Sequence, residues 1–69
     1  MKKFEIQIAS VPDRENLVAE IWLGDDLICE INNENGHFEI EFYTEIVGKI
    51  NYSVFLEILQ KAKDKLLIS

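Results

Sequence analysis

The run from Leu17 to Tyr43 constrains this chain most, because apolar and polar residues alternate through it in three successive segments. Leu17, Ala19, Ile21 and Leu23 fall on one side of the first segment, with Val18, Glu20 and Trp22 on the other. Leu27, Cys29 and Ile31, and then Phe38, Ile40 and Phe42, repeat the pattern. A period of two among β-branched and aromatic side chains marks a half-buried strand. Between the segments stand Gly24-Asp25-Asp26 and Asn35-Gly36. The first reads as a three-residue loop. The second reads as a type I′ turn, whose two central residues both need positive φ.

Loop length fixes register, and register decides which side chains meet. With these two loops Leu23 lies opposite Leu27, Ala19 opposite Ile31, Ile31 opposite Ile40 and Cys29 opposite Phe42. All the apolar residues then share one face. The same registers place Glu20, Glu30 and Glu41 in one row on the other face, with Trp22, Ile28 and Tyr43 in an exposed row beside it. Like charges opposed across a sheet are destabilising. A carboxylate row of this kind is the main functional signal in the sequence.

The flanks complete the architecture. Residues 3–9 alternate with Phe4, Ile6 and Ile8 inward, and read as a first strand. The connection through Pro12, Asp13 and Asn16 is too long for a tight hairpin, so strand 1 fits beside strand 2 or at the far edge. Residues 44–52 fit an extension of strand 4, a fifth strand, or a loop bent at Gly48. Ser53 reads as a helix N-cap. After it Phe55, Ile58, Leu59, Ala62 and Leu66 recur at helical spacing. The expected fold is α+β, a single domain over residues 1–69. It has an antiparallel sheet of four or five strands (about 3–9, 17–23, 27–32 and 37–43), mostly a meander. One C-terminal helix, about 54–67, packs on one face.

At 69 residues with a single cysteine, the chain is near the lower size at which a domain folds without staples. Homodimerisation through the Trp22 face is one expectation that follows. The net charge of −6 is unevenly placed, with ten acidic residues between Asp13 and Glu45 against Arg14 alone. Binding to nucleic acid or anionic membranes needs Lys and Arg to neutralise phosphates, so this surface argues against both. It suits a basic partner. No apolar run approaches the ~20 residues of a membrane span, and Met1-Lys2-Lys3 leads into an alternating segment rather than a signal peptide. A cytoplasmic protein is expected.

Catalytic chemistry is thin. His37 is the only histidine and falls beside a turn. Cys29 falls in the apolar set, so a Cys-His pair is not expected. No phosphate loop or Cys/His metal motif is present. Glu20, Glu30 and Glu41 supply too few oxygens for the six to eight ligands that Ca²⁺ takes, which makes a metal site on the row the weakest reading. The expectation is no enzyme activity, no cofactor and no metal.

In size, acidity and lack of catalytic groups, the chain resembles the small inhibitors of bacteria and their phages: immunity proteins, antitoxins and anti-CRISPR or other anti-defence proteins. That resemblance implies a binder that occludes a basic surface, such as that of a nuclease or nucleic-acid-binding effector. On the residues themselves, Glu20, Glu30, Glu39 and Glu41 are the expected charges, with Trp22, Ile28 and Tyr43 as apolar anchors.

Overall fold

The computed structural model describes residues 3–12, 15–43 and 49–68. It shows the expected α+β architecture: a four-stranded antiparallel sheet in the order β1-β2-β3-β4 with one C-terminal helix on it. The strands are β1 Phe4–Ala9, β2 Val18–Leu23, β3 Asp26–Asn32 and β4 Glu39–Phe42, and the helix is α1 Tyr52–Leu67. Strand 1, which the sequence left at either edge, pairs with β2 from Phe4↔Leu23 to Ala9↔Val18. The sheet is therefore a simple meander. Of the segment read three ways, residues 44–48 lie outside the described residues. Residues 49–51 are neither strand nor helix.

Both hairpins differ from expectation in their turns and agree in their final register. The first loop is two residues, Gly24-Asp25, and Leu23 pairs with Asp26 rather than Leu27. Gly24 has φ 63, and positive φ at the first central position alone is what a type II′ turn requires. One loop residue fewer would flip every later side chain of β3. A bulge corrects this: Trp22 pairs with Leu27 but Ile21 with Cys29, leaving Ile28 as the extra residue. From there Ala19↔Ile31 and Glu20↔Glu30 stand as expected.

The second loop is longer than a two-residue turn. Gly36 N–H donates to the Asn33 carbonyl at 3.3 Å, so Glu34 and Asn35 are the central residues. Gly36 alone has positive φ, 83. A two-residue loop and a six-residue loop centred on the same point give the same pairing, and Cys29↔Phe42 and Ile31↔Ile40 follow. The β1–β2 connection is tied to this loop through Asn16, whose backbone and side-chain N–H groups donate to the two Glu34 carboxylate oxygens at 3.2 Å.

The core lies between α1 and the sheet. Ala19, Ile21, Ile28, Cys29, Ile31 and Ala62 are buried together, and Phe4, Ile6, Ile8, Leu23, Phe55, Ile58, Leu59 and Leu66 pack around them. The helical stripe read from the sequence is thus the one that packs. Phe4 and Phe55 meet at 5.8 Å between ring centroids, a favourable aromatic separation. Cys29 is a free, fully buried thiol, as its place in the alternation indicated.

Two expectations are corrected. The helix cap is Asn51, not Ser53: the Asn51 side chain accepts the Val54 N–H at 3.0 Å. The apolar face is also only half covered. The helix lies chiefly over β2 and β1, touches β3 at its margin and does not reach β4. Four strands about 4.8 Å apart span roughly 19 Å, whereas one helix is about 10 Å across. Ile40 and Phe42, expected in the core, consequently remain 45% and 53% exposed.

The cap assignment gives a direct test. Asn51→Ala is expected to lower unfolding free energy by about 1 kcal/mol. Ser53→Ala, at an exposed helical position, is expected to cost less than about 0.5 kcal/mol. Urea denaturation of the two variants checks both values, and the reverse ranking would place the cap at Ser53.

Candidate carboxylate face

On the side of the sheet opposite α1, β3 pairs Glu30 with Glu20 of β2 and with Glu41 of β4. Gln7 of β1 extends the row beyond Glu20. The predicted carboxylate row therefore exists in register, with strands about 4.8 Å apart. It is set by the bulge at Ile28, without which Glu30 would turn toward the helix.

Neighbouring side chains hold the row together. The Tyr43 hydroxyl stands 2.5 Å from Glu30 Oε1 and 3.2 Å from Glu41 Oε2. A phenol carries one proton, so Tyr43 donates to one carboxylate at a time while keeping both close. Asn32 Nδ2 donates to the other Glu30 oxygen at 3.0 Å. The Trp22 indole N–H donates to Glu20 Oε1 at 3.3 Å. At the β4 end Asn35 Nδ2 donates to Glu39 Oε1 at 2.6 Å, and His37 Nε2 lies 3.6 Å from Glu39 Oε2.

The seven residues singled out from the sequence divide into two groups. Glu41 and Tyr43 are exposed, and Glu20, Trp22 and Glu39 are half-buried. Glu30 is only 2% exposed and Ile28 only 5%. Ile28 leaves the expected apolar row because the bulge carries it into the core cluster, and Leu27 takes its place opposite Trp22. Glu30 sits on an inner strand between two carboxylate neighbours, beneath the Tyr43 hydroxyl and beside Asn32. It works as an internal strut rather than a contact. Asn32, buried at Glu30's side, was missed by sequence reading; its position two residues after Glu30 on the same strand face was the available signal.

The chemistry this arrangement can perform is limited. Burial pushes the Cys29 thiol up to about 11, so thiolate is scarce at neutral pH, and the group lies in the core. His37 is exposed in the β3–β4 loop. Among the described residues no three His, Cys, Asp or Glu side chains are grouped to hold a metal ion. Among them, too, no helix is long and apolar enough to cross a membrane. What remains is a row of ordered carboxylates, buried at Glu30 and exposed at Glu41, edged by Trp22 and Tyr43.

If the Tyr43 hydroxyl holds Glu30 in place, Tyr43→Phe should cost about 1.5–3 kcal/mol, the range for a hydrogen bond to a charged group. In a Glu30→Gln background the same change should cost under about 1 kcal/mol, which a double-mutant cycle in urea would resolve. Equal costs in both backgrounds would show that the two side chains act independently.

Comparison of the chain with protein-family models, with curated proteins and with solved structures finds no match, so its function is argued from this geometry.

Proposed function

We propose that the protein is a small non-enzymatic binder that covers a basic surface of a partner protein with the carboxylate face of its sheet. One observation carries the reading: Glu20, Glu30 and Glu41 are aligned across three strands and fixed by Tyr43, Asn32 and Trp22. Like charges directly opposed across a sheet are destabilising. A Lys- or Arg-rich surface would relieve that repulsion on docking. Because the side chains are already ordered, little conformational entropy remains to be lost at that step.

In this reading Glu20, Glu39 and Glu41 make the charge contacts. Trp22 and the exposed ring of Tyr43 supply apolar contact between them, and Glu30 with Ile28 supports the face from within. The mechanism is occlusion. An ordered carboxylate array competes with phosphates for the cationic groove of a nuclease or other nucleic-acid-binding effector, and the bulk of the domain blocks access. The long-range field of a chain with net charge −6 would speed encounter with such a target. This is the mode of immunity, antitoxin and anti-defence inhibitors, and the size and acidity of the chain agree with it.

The test is affinity capture from host lysate at about 0.1 M and about 0.5 M salt, since screening weakens exposed charge contacts. The wild-type protein is run beside a Glu20→Gln/Glu39→Gln/Glu41→Gln variant whose fold is checked by circular dichroism. A partner with a basic surface, held by the wild type at low salt and lost both at high salt and with the variant, is the expected result. Identical capture by wild type and variant, or no capture at either salt, would remove the carboxylate face from the function.

A further inference from the structure

The chain contains five asparagines, and Asn35 alone is followed by glycine. It lies in the loop between β3 and β4, outside the Asn32↔Glu39 pair that ends the ladder. Both Asn35 and Gly36 are exposed. Gly36 has φ 83 and open space where a side chain would stand, so nothing on that side obstructs its backbone nitrogen. The Gly36 N–H reaches the Asn33 carbonyl at 3.3 Å, longer than usual for an N–H···O bond, and is weakly held. With Asn32, Glu39 and Glu41, Asn35 lines a hollow of about 230 Å³ on the carboxylate face.

We propose that Asn35-Gly36 is a self-modification site, at which cyclisation and hydrolysis turn the Asn35 amide into a further carboxylate at the β4 end of the row. The Gly36 nitrogen loses its proton to a base in solvent and attacks Asn35 Cγ. The N–Cγ bond forms, the Cγ–Nδ2 bond breaks, and Nδ2 takes up a proton and leaves as ammonia. The product is a cyclic imide. Water then adds to one of its two carbonyl carbons, the bond from that carbon to the Gly36 nitrogen breaks, and the nitrogen regains a proton from the water. Opening at Cγ gives aspartate. Opening at the Asn35 backbone carbonyl gives isoaspartate, with the chain running through Cγ. One water is consumed and one ammonia released, with no oxidant or reductant.

The other asparagines lack these conditions. Asn32 is 3% exposed and donates to Glu30. Asn51 accepts the Val54 N–H as the helix cap, and Asn16 is tied to Glu34. Asn16, Asn32, Asn33 and Asn51 are all followed by a residue with a side chain, which crowds the attacking nitrogen.

Glu39 slows the reaction. Asn35 Nδ2 donates to Glu39 Oε1 at 2.6 Å, a charge-assisted bond stronger than a neutral one. It orients the amide and pushes electron density onto it, which makes Cγ less open to attack. After conversion residue 35 has no side-chain N–H to offer. Two carboxylates then face each other beside His37, whose Nε2 lies 3.6 Å from Glu39 Oε2. Because the loop lies outside the ladder, the extra backbone atom of isoaspartate leaves the β3–β4 register intact. The modification changes the charge of the face and not the fold, and it stands whether or not the partner-binding proposal does.

The test is to incubate the folded full chain at neutral and mildly alkaline pH and follow it by isoelectric focusing and peptide mass spectrometry. The expected result is a more acidic species, one mass unit heavier, with aspartate and isoaspartate in place of Asn35 and the other asparagines unchanged. In heavy-oxygen water each converted chain should take up one label. Glu39→Ala should convert roughly two- to tenfold faster, the factor for losing one hydrogen bond. Gly36→Ala, its fold checked by circular dichroism, should convert more than about tenfold slower, because a Cβ restricts the backbone and crowds the nitrogen. No conversion at Asn35 by the time the same chain unfolded in guanidinium has fully converted would overturn the proposal. So would Gly36→Ala converting as fast as the wild type, or conversion spread equally over all the asparagines. Glu39→Ala converting no faster than the wild type would overturn the role given to Glu39.

Discussion

In an antiparallel sheet a slip of one residue turns every side chain of a strand to the other face. β3 is paired on both sides, so its register decides the composition of both surfaces at once. The two-residue Gly24-Asp25 turn by itself would put Glu30 toward the helix and Cys29 toward solvent. The bulge at Ile28 adds one residue and reverses that outcome. Burying Cys29 and Ile31 against Ala19, Ile21 and Ala62 while Ile28 stays inside is the gain that holds the bulged register, at roughly 1.5–3 kcal/mol for a large apolar side chain such as Ile31. The alignment of Glu20, Glu30 and Glu41 is a consequence of that apolar packing, and the hydrogen bonds from Tyr43, Asn32 and Trp22 make it tolerable.

The second governing constraint is the ratio of one helix to four strands. A single helix satisfies the β1–β2 half of the sheet and leaves β4 with an apolar row and no cover from α1. The acidic residues of β4 share its other face, where they oppose aggregation along that edge. The same strand thus presents carboxylates to one side and Ile40 and Phe42 to the other. A short strand of four residues, Glu39–Phe42, contributes to two surfaces of opposite character.

The strand count, the helix and the carboxylate row were legible because each rests on periodicity, which is local. The stripe from Phe55 to Leu66 and the alternation from Ala19 to Phe42 specify faces without any knowledge of loops. The turns were less legible. Gly24 and Asn35-Gly36 announce a change of direction but not a loop length, and His37 and Phe38, read as the start of strand 4, gave no sign that they would join the second loop. The bulge left no trace of its own, since Ile28 reads as an ordinary strand residue in either register. Burial was legible only where cover was predictable. Nothing in the pattern of β4 distinguishes an apolar row beneath a helix from one beyond its reach. Likewise a glutamate in a polar alternation, such as Glu30, reads as exposed until Tyr43 and Asn32 are placed beside it.

The register of β3 can be read directly in solution. The Tyr43 N–H donates to the Ile28 carbonyl at 3.1 Å, so the pairs Cys29↔Phe42 and Ile31↔Ile40 fall at the alternate, non-hydrogen-bonded positions, where Cα atoms are closest at about 4.5 Å. Two-dimensional NOE spectroscopy is expected to show Hα–Hα contacts between Cys29 and Phe42 and between Ile31 and Ile40. A contact between Ile31 and Glu41 in their place would signify a one-residue slip. That result would send Glu30 and Glu41 to opposite faces and contradict the carboxylate face on which the account depends.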